Sequence, residues 1–232
     1  REICKVCTES NLQMRVMRDL VDDKISRILV DCNVAFEELS QIMNKHHPDA
    51  TKLLINYDDE KPLFHHYKVN DEVTMALQRR VSLESGGYVV FDQTEAMTTV
   101  DVNTGGDVGH RDLEKTIFNT NMQASKIIAR QIRLRNLGGI IVIDFIDMDE
   151  RRNNASVERL IKDKLSTDRA RIQVGRISGF GLLEMSRQRL RPGMLEATTQ
   201  PCVLCHGTGL IRSKDSLALT ILRQIEEEGT RR

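Results

Sequence analysis

The chain has 232 residues, 40% of them apolar and 29% charged, which is the composition of an ordinary globular protein long enough to bury a core in one or two domains. Its 34 basic and 34 acidic residues cancel, so no overall positive field marks a nucleic-acid partner, and any such case must rest on local patches. No apolar run approaches the roughly 20 residues of a membrane-spanning helix, and the opening Arg1-Glu2-Ile3-Cys4 lacks the layout of a targeting peptide, so the chain reads as a fragment of something longer.

Apolar residues at Leu12, Val16, Leu20 and Ile25 predict a helix within 10–28, and Ile28-Leu29-Val30 reads as a strand. A second helix is predicted over Val34–Met43, closed by His46-His47-Pro48, followed by the short apolar run Leu53-Leu54-Ile55 and a third helix over Asp71–Arg80. Ser85-Gly86-Gly87 reads as a turn into two strands, Tyr88–Phe91 and Thr98–Val102. A long amphipathic helix is predicted from Asp112 to Leu137, with Gly138-Gly139 as its stop. A buried strand over Ile140–Phe145, a helix over Ser156–Leu165 and shorter strands up to Leu190 follow. Pro192-Gly193 marks a break before a cysteine knuckle and a last helix over Ser216–Glu228. The rhythm is mixed α/β, with no internal repeat.

Two strand ends carry the chemistry. In an extended Thr99-Val100-Asp101-Val102-Asn103, alternation sends Asp101 and Asn103 to one face and the valines to the other. The second strand is apolar until Asp144, where a charge would be buried unless it is paired or holds a metal. Two carboxylates on neighbouring strand ends suit Mg²⁺, a hard cation that keeps several waters, and such an ion serves phosphate chemistry. Strand caps or ion pairs with arginines would explain the same spacing. On a continued strand Asp147 faces away from Asp144, which leaves it outside the site.

Cys202-x-x-Cys205 followed by Gly207 and Gly209 has the form of a zinc knuckle, although a closed structural site needs four ligands and only two lie here. Cys4-x-x-Cys7 is a second pair, either a completing half-site or two inert thiols, and Cys32 is expected to be a small buried residue. Five cysteines without a secretory signal fit a reducing cytosol. Six arginines (Arg169, Arg171, Arg176, Arg187, Arg189 and Arg191) meet one glutamate, Glu184, between positions 169 and 191. On an extended segment Arg187, Arg189 and Arg191 share one side and could follow a phosphate backbone, and Lys126, Arg130, Arg133 and Arg135 on the long helix pose the same choice between RNA contact and a solvated face. Three tyrosines, six phenylalanines and no tryptophan leave base stacking poorly supplied.

Taken together, Gln93-Thr94-Glu95-Ala96, Val100-Asp101-Val102-Asn103-Thr104-Gly105, Phe118-Asn119-Thr120-Asn121, the block Ala129–Met148, Phe180–Arg189 and Cys202–Gly209 resemble the ribonuclease E/G family. The resemblance is strong over roughly 85–212 and looser from Glu9 to Tyr67. The loop Thr104–Arg111 is nearer the G-type pattern and Arg187–Gly193 nearer the E-type, while His110 is a polar loop residue with no catalytic part in the family. The resemblance implies an endoribonuclease that hydrolyses single-stranded RNA in processing and decay and leaves 5′-phosphate products. Asp101 and Asp144 would hold the catalytic magnesium, Asn103 would assist at the scissile phosphate, and Arg171, Arg187 and Arg189 would contact RNA.

It also implies an architecture: 1–80 as the end of an RNase H-like subdomain with a remnant of a 5′-sensor region, 81–198 as a deoxyribonuclease-I-like catalytic subdomain, 199–212 as the zinc-link knuckle, and 213–232 as the start of a small C-terminal domain. Cys202 and Cys205 would share a structural zinc with the same pair of a second protomer, giving a homodimer or a homotetramer. The family places the protein in the cytoplasm, with inner-membrane attachment and docking to an RNA-degradation complex through segments outside this chain. The rival reading is a non-catalytic zinc-linked scaffold that lacks the family's sensor and barrel. A zinc chaperone module would need several copies of the knuckle, and one is present.

Overall fold

The computed structural model describes residues 12–21, 25–46, 48–105, 113–200, 202–205 and 209–230. Cys4, Cys7, His110, His206 and Gly207 lie outside them. Contacts divide the chain into two units, between Met75 and Ala76.

The first unit holds α1 (Leu12–Leu20), β1 (Ile28–Val30), α2 (Asn33–His46), a 3-10 turn (Pro48–Leu53), β2 (Leu54–Asn56), α3 (Leu63–His66) and most of α4 (Val69–Leu77). The strands β1 and β2 pair in parallel, Ile28 opposite Leu54, so α2 is the crossover between them. Its inward residues Leu39 and Met43 close a small core with Leu54, flanked by Met17, Ile28, Val30 and Phe36. Cys32 is exposed at the start of α2, contrary to the buried position expected for it.

In the second unit a six-stranded sheet has the order β3-β4-β5-β6-β8-β7, with β3 (Arg80–Ser82), β4 (Tyr88–Gln93), β5 (Met97–Asn103), β6 (Gly139–Asp144), β7 (Ile172–Ile177) and β8 (Leu182–Arg187). Only β5 and β6 pair in parallel, as the crossover helix α5 (Leu113–Leu134) between them requires. Alternate residues Val89, Phe91, Val100, Val102, Ile141, Ile143, Leu183 and Met185 are buried. They form one core with Ala124, Ile128 and Ile132 of α5 and Val157, Ile161 and Leu165 of α6 (Arg151–Leu165). The other face of the sheet is not covered to the same degree: Ile140 and Met97 are exposed and Val90 and Val142 half-buried. The β6 run is wholly apolar without being buried on both sides, so Asp144 is exposed rather than sunk in the interior.

The long helix stops earlier than its glycines suggest. Asn136 adopts φ +50°, Leu137 N–H donates to the Ile132 carbonyl and Asn136 N–H to that of Arg133, a left-handed cap of the Schellman type. The Asn136 amide then donates to the carbonyls of Arg191 (2.9 Å) and Pro192 (3.2 Å). Beyond lie a short helix α7 (Met194–Thr198), which the sequence did not announce, and α8 (Lys214–Thr230), which buries none of its residues. No described helix is long and apolar enough to cross a membrane.

Candidate active site

Asp101 and Asp144 are direct register partners on the parallel strands β5 and β6, so the two carboxylates emerge side by side on the open face of the sheet. Alternation accounts for this: Val100 and Val102 are buried on the helix side, while Asp101 is exposed and Asn103 half-buried. The Asn103 amide donates to Asp101 Oδ2 at 2.6 Å, which fixes that carboxylate and leaves the second amide hydrogen available. Partial desolvation, then the charges of Asp101 and Asp147, push the Asp144 carboxyl above the ordinary carboxylate range. Two carboxylates that repel each other across one strand spacing are stabilised by a cation placed between them, so the donor set fits a divalent ion. No group of three or more metal-ligating side chains occurs among the described residues, so an ion held by two carboxylates would need water or phosphate oxygens for the rest of its shell.

A continued strand would turn Asp147 away from the pair. The strand ends at Asp144, and the loop that follows turns Asp147 close enough to act on the Asp144 charge. Two clamps hold this loop. Buried Asn121 of α5 donates through Nδ2 to the Ile146 carbonyl (2.8 Å) and accepts from Ile146 N–H (3.2 Å), and Phe145 N–H donates to the Gly181 carbonyl (3.2 Å). Gly181, at φ +75°, could not carry a side chain there, since a Cβ would sit 2.7 Å from Asp147 Oδ1 and 3.0 Å from the Phe145 carbonyl oxygen.

The arginine stripe comes apart. Arg171 and Arg189 are exposed, but the Arg187 side chain is only 4% exposed and turns into the protein, where Nε and Nη2 donate to Asp168 Oδ2 (2.8 Å) and Oδ1 (3.2 Å). Its Nη1 donates to Asn136 Oδ1 (3.0 Å) and the Leu137 carbonyl (2.9 Å). The expected RNA contact by Arg187 is therefore corrected, because its donors are committed to the protein. Arg135 is likewise turned inward: it is 1% exposed, lies 4.2 Å over the Phe91 ring and donates through Nε to Gln131 Oε1, its Nη2 is buried without a hydrogen-bond partner among the described residues, and burial lowers its pKa to about 10.

At the knuckle Cys202 is exposed and Cys205 half-buried. Hydrogen bonds from the Cys205 and Leu204 amides, then from the Cys205 side chain, lower the Cys202 thiol pKa. That favours the thiolate a zinc ion needs, so these residues fit half a zinc site.

A mixed α/β unit with paired carboxylates at adjoining strand ends defines a class of protein suited to cation-assisted phosphate chemistry. The sequence model of the Ribonuclease E/G family matches residues 1–190, and that of the RNase E/G thioredoxin-like domain matches 201–232. The chain is 44% identical to Ribonuclease G of Escherichia coli K12 over 217 residues, 94% of this chain and 44% of that protein. It is 47% identical to Ribonuclease E of the same organism and 46% identical to Ribonuclease E of Haemophilus influenzae, over 95% of this chain in each case and 21% and 24% of those proteins. The chain belongs to the ribonuclease E/G family. It spans less than half the length of these relatives.

Proposed function

We propose that this chain carries the catalytic site of an endoribonuclease that hydrolyses single-stranded RNA with the help of magnesium and leaves 5′-phosphate products. The observation that carries the reading is the register of Asp101 against Asp144 with Asn103 hydrogen-bonded beside them. Asp101 and Asp144 would hold the ion, which when bound supplies Lewis acidity at the phosphoryl oxygen and a more acidic water. Asn103 keeps the Asp101 carboxylate in place and offers its remaining amide hydrogen to a phosphate oxygen. Asp147 adds negative charge beside the pair and so strengthens its hold on a cation. A fixed carboxylate pair suits catalysis better than an idle scaffold does, and cleavage of 5′-labelled single-stranded RNA with magnesium, abolished by EDTA, is the expected result.

Within this reading, residues 1–80 belong to an RNase H-like subdomain, 81–198 to a deoxyribonuclease-I-like catalytic subdomain, 199–212 to a zinc link and 213–232 to a small C-terminal domain, in a cytoplasmic protein. Arg171 and Arg189, both exposed, would be the arginines that contact RNA. Alanine at either should weaken binding similarly across sequences and flatten the dependence of log affinity on log salt by about 0.7 per lost phosphate contact. Unchanged slope and affinity would return them to a solvated face.

Cys202 and Cys205 supply two of the four donors that a structural zinc needs, and a second protomer supplies the others. The expected stoichiometry is one zinc per dimer, with dissociation to monomers after chelation or in Cys202→Ser. Metal analysis combined with light scattering reads both. One zinc per monomer, retained by the monomer, would exclude the shared site.

A further inference from the structure

The open face of the sheet carries an arginine and an aromatic ring that the nuclease reading leaves unused. Tyr88 on β4 is the register partner of Asn103, and Val90 that of Asp101. On the edge strand β3, Arg80 stands opposite Val90 and Ser82 opposite Tyr88. One row across the face therefore reads Arg80, Val90, Asp101, Asp144, and the next reads Ser82, Tyr88, Asn103. Arg80 leans diagonally between the rows, placing Cζ 3.6 Å from the centroid of the Tyr88 ring. Two strand spacings separate the Arg80 and Asp101 backbones, about 10 Å.

The neighbouring arginine behaves differently. Arg79 forms a bidentate pair with Asp92, whereas among the described residues no carboxylate pairs with Arg80, whose side chain is exposed above a half-buried ring. The exposed Arg80 guanidinium, with Cζ 3.6 Å from the ring centroid, can take a second planar partner on its outer side, since single-stranded RNA bases stack on arginine planes as they do on aromatic rings. Because Tyr88 is the register partner of Asn103, the stack lies one strand from the site.

We propose that Arg80 and Tyr88 form a stacking platform for one base of single-stranded RNA, that of the nucleotide flanking the phosphate held at Asp101, Asn103 and Asp144. This rests on the nuclease reading of that site. The ring orients the guanidinium, and the guanidinium offers its plane to the base and its charge to the adjoining phosphate. The grip is tolerant of sequence because every base has a π-face.

The experiment compares the affinity of the chain carrying Asp101→Asn, which prevents cleavage, for a uridine tetramer and for the same tetramer without bases. The expected preference for the base-bearing tetramer is roughly 5- to 100-fold, and it should vanish with Arg80→Ala or Tyr88→Ala. Arg80→Lys should lose the preference while keeping the salt dependence, since it retains the charge but not the plane. Tyr88→Phe should retain both. No binding of either tetramer, an equal preference in all variants, or a preference that survives Arg80→Ala would overturn the platform. Magnesium-dependent cleavage by the unsubstituted chain, scored separately, keeps the two claims apart. Cleavage without base preference sinks the platform alone, and base preference without cleavage sinks the nuclease reading alone.

Discussion

Asp101→Asn and Asp144→Asn are each expected to lower magnesium-dependent RNA cleavage by at least 10²–10³-fold, the order of loss when a main electrostatic contributor to a transition state is removed. The substitution removes a ligand charge without removing volume, and both residues stand on the open face outside the apolar core, so the fold should persist. On the proposed reading the two carboxylates share one ion, so the double substitution should cost little more than either single one, a departure from additivity expected of groups that act as a unit. Near-parental rates in either variant, with an unchanged circular dichroism spectrum, would remove that residue from the site. Asp147→Asn serves as the graded control. It acts through charge on Asp144 and should weaken magnesium dependence without abolishing turnover.

Breaking the buried Arg187–Asp168 pair should destabilise the second unit by about 3–5 kcal/mol, because either partner left alone is an uncompensated charge in the interior. The two side chains are 4% and 5% exposed, so solvent screening gives little relief. Replacing both by apolar residues of similar volume should cost less than either single alanine. Burial alone raises the Asp168 carboxyl, but the hydrogen bonds from Arg187 and the Ala170 amide and the charges of Arg187 and Arg133 outweigh it and hold the pKa below the ordinary range. A depressed folded-state pKa contributes stability above the unfolded value of about 3.9, and that contribution is lost as pH falls through the lower folded value. Denaturant unfolding followed below pH 4 should therefore show a loss in the parent that is smaller in Asp168→Asn. A change under 1 kcal/mol in Arg187→Ala at neutral pH would contradict the account.

The carboxylate site was legible because it depends on local pattern. Alternation around Asp101 and a strand that stays apolar up to Asp144 are both visible in one dimension, and the parallel pairing that joins them follows from the helix between the strands. The exposure of Asp144 was not legible, since a strand with apolar residues on both faces reads as buried even where one face of the sheet stays open. Arg187 and Arg135 were misplaced for another reason. A buried arginine is identified by its partners, and Asp168 lies 19 residues from Arg187 while Phe91 lies on β4, far in sequence from Arg135 just past the end of α5. The predicted helix reaching Arg80 also hid β3, because three residues are too few to show a period; α4 ends at Leu77 and Arg80 opens an edge strand. That displacement is why the contact of Arg80 with Tyr88 could not be read from spacing.

The paired carboxylates are proposed to cut RNA. The most direct test is to incubate the chain with a single-stranded RNA labelled at the 5′ end, in magnesium and in EDTA, and to identify the new ends. Internal cuts are expected in magnesium only, with a 5′-phosphate on the downstream product that supports ligation without prior phosphorylation. Cleavage that persists in EDTA, or downstream products with 5′-hydroxyl ends, would contradict the proposal.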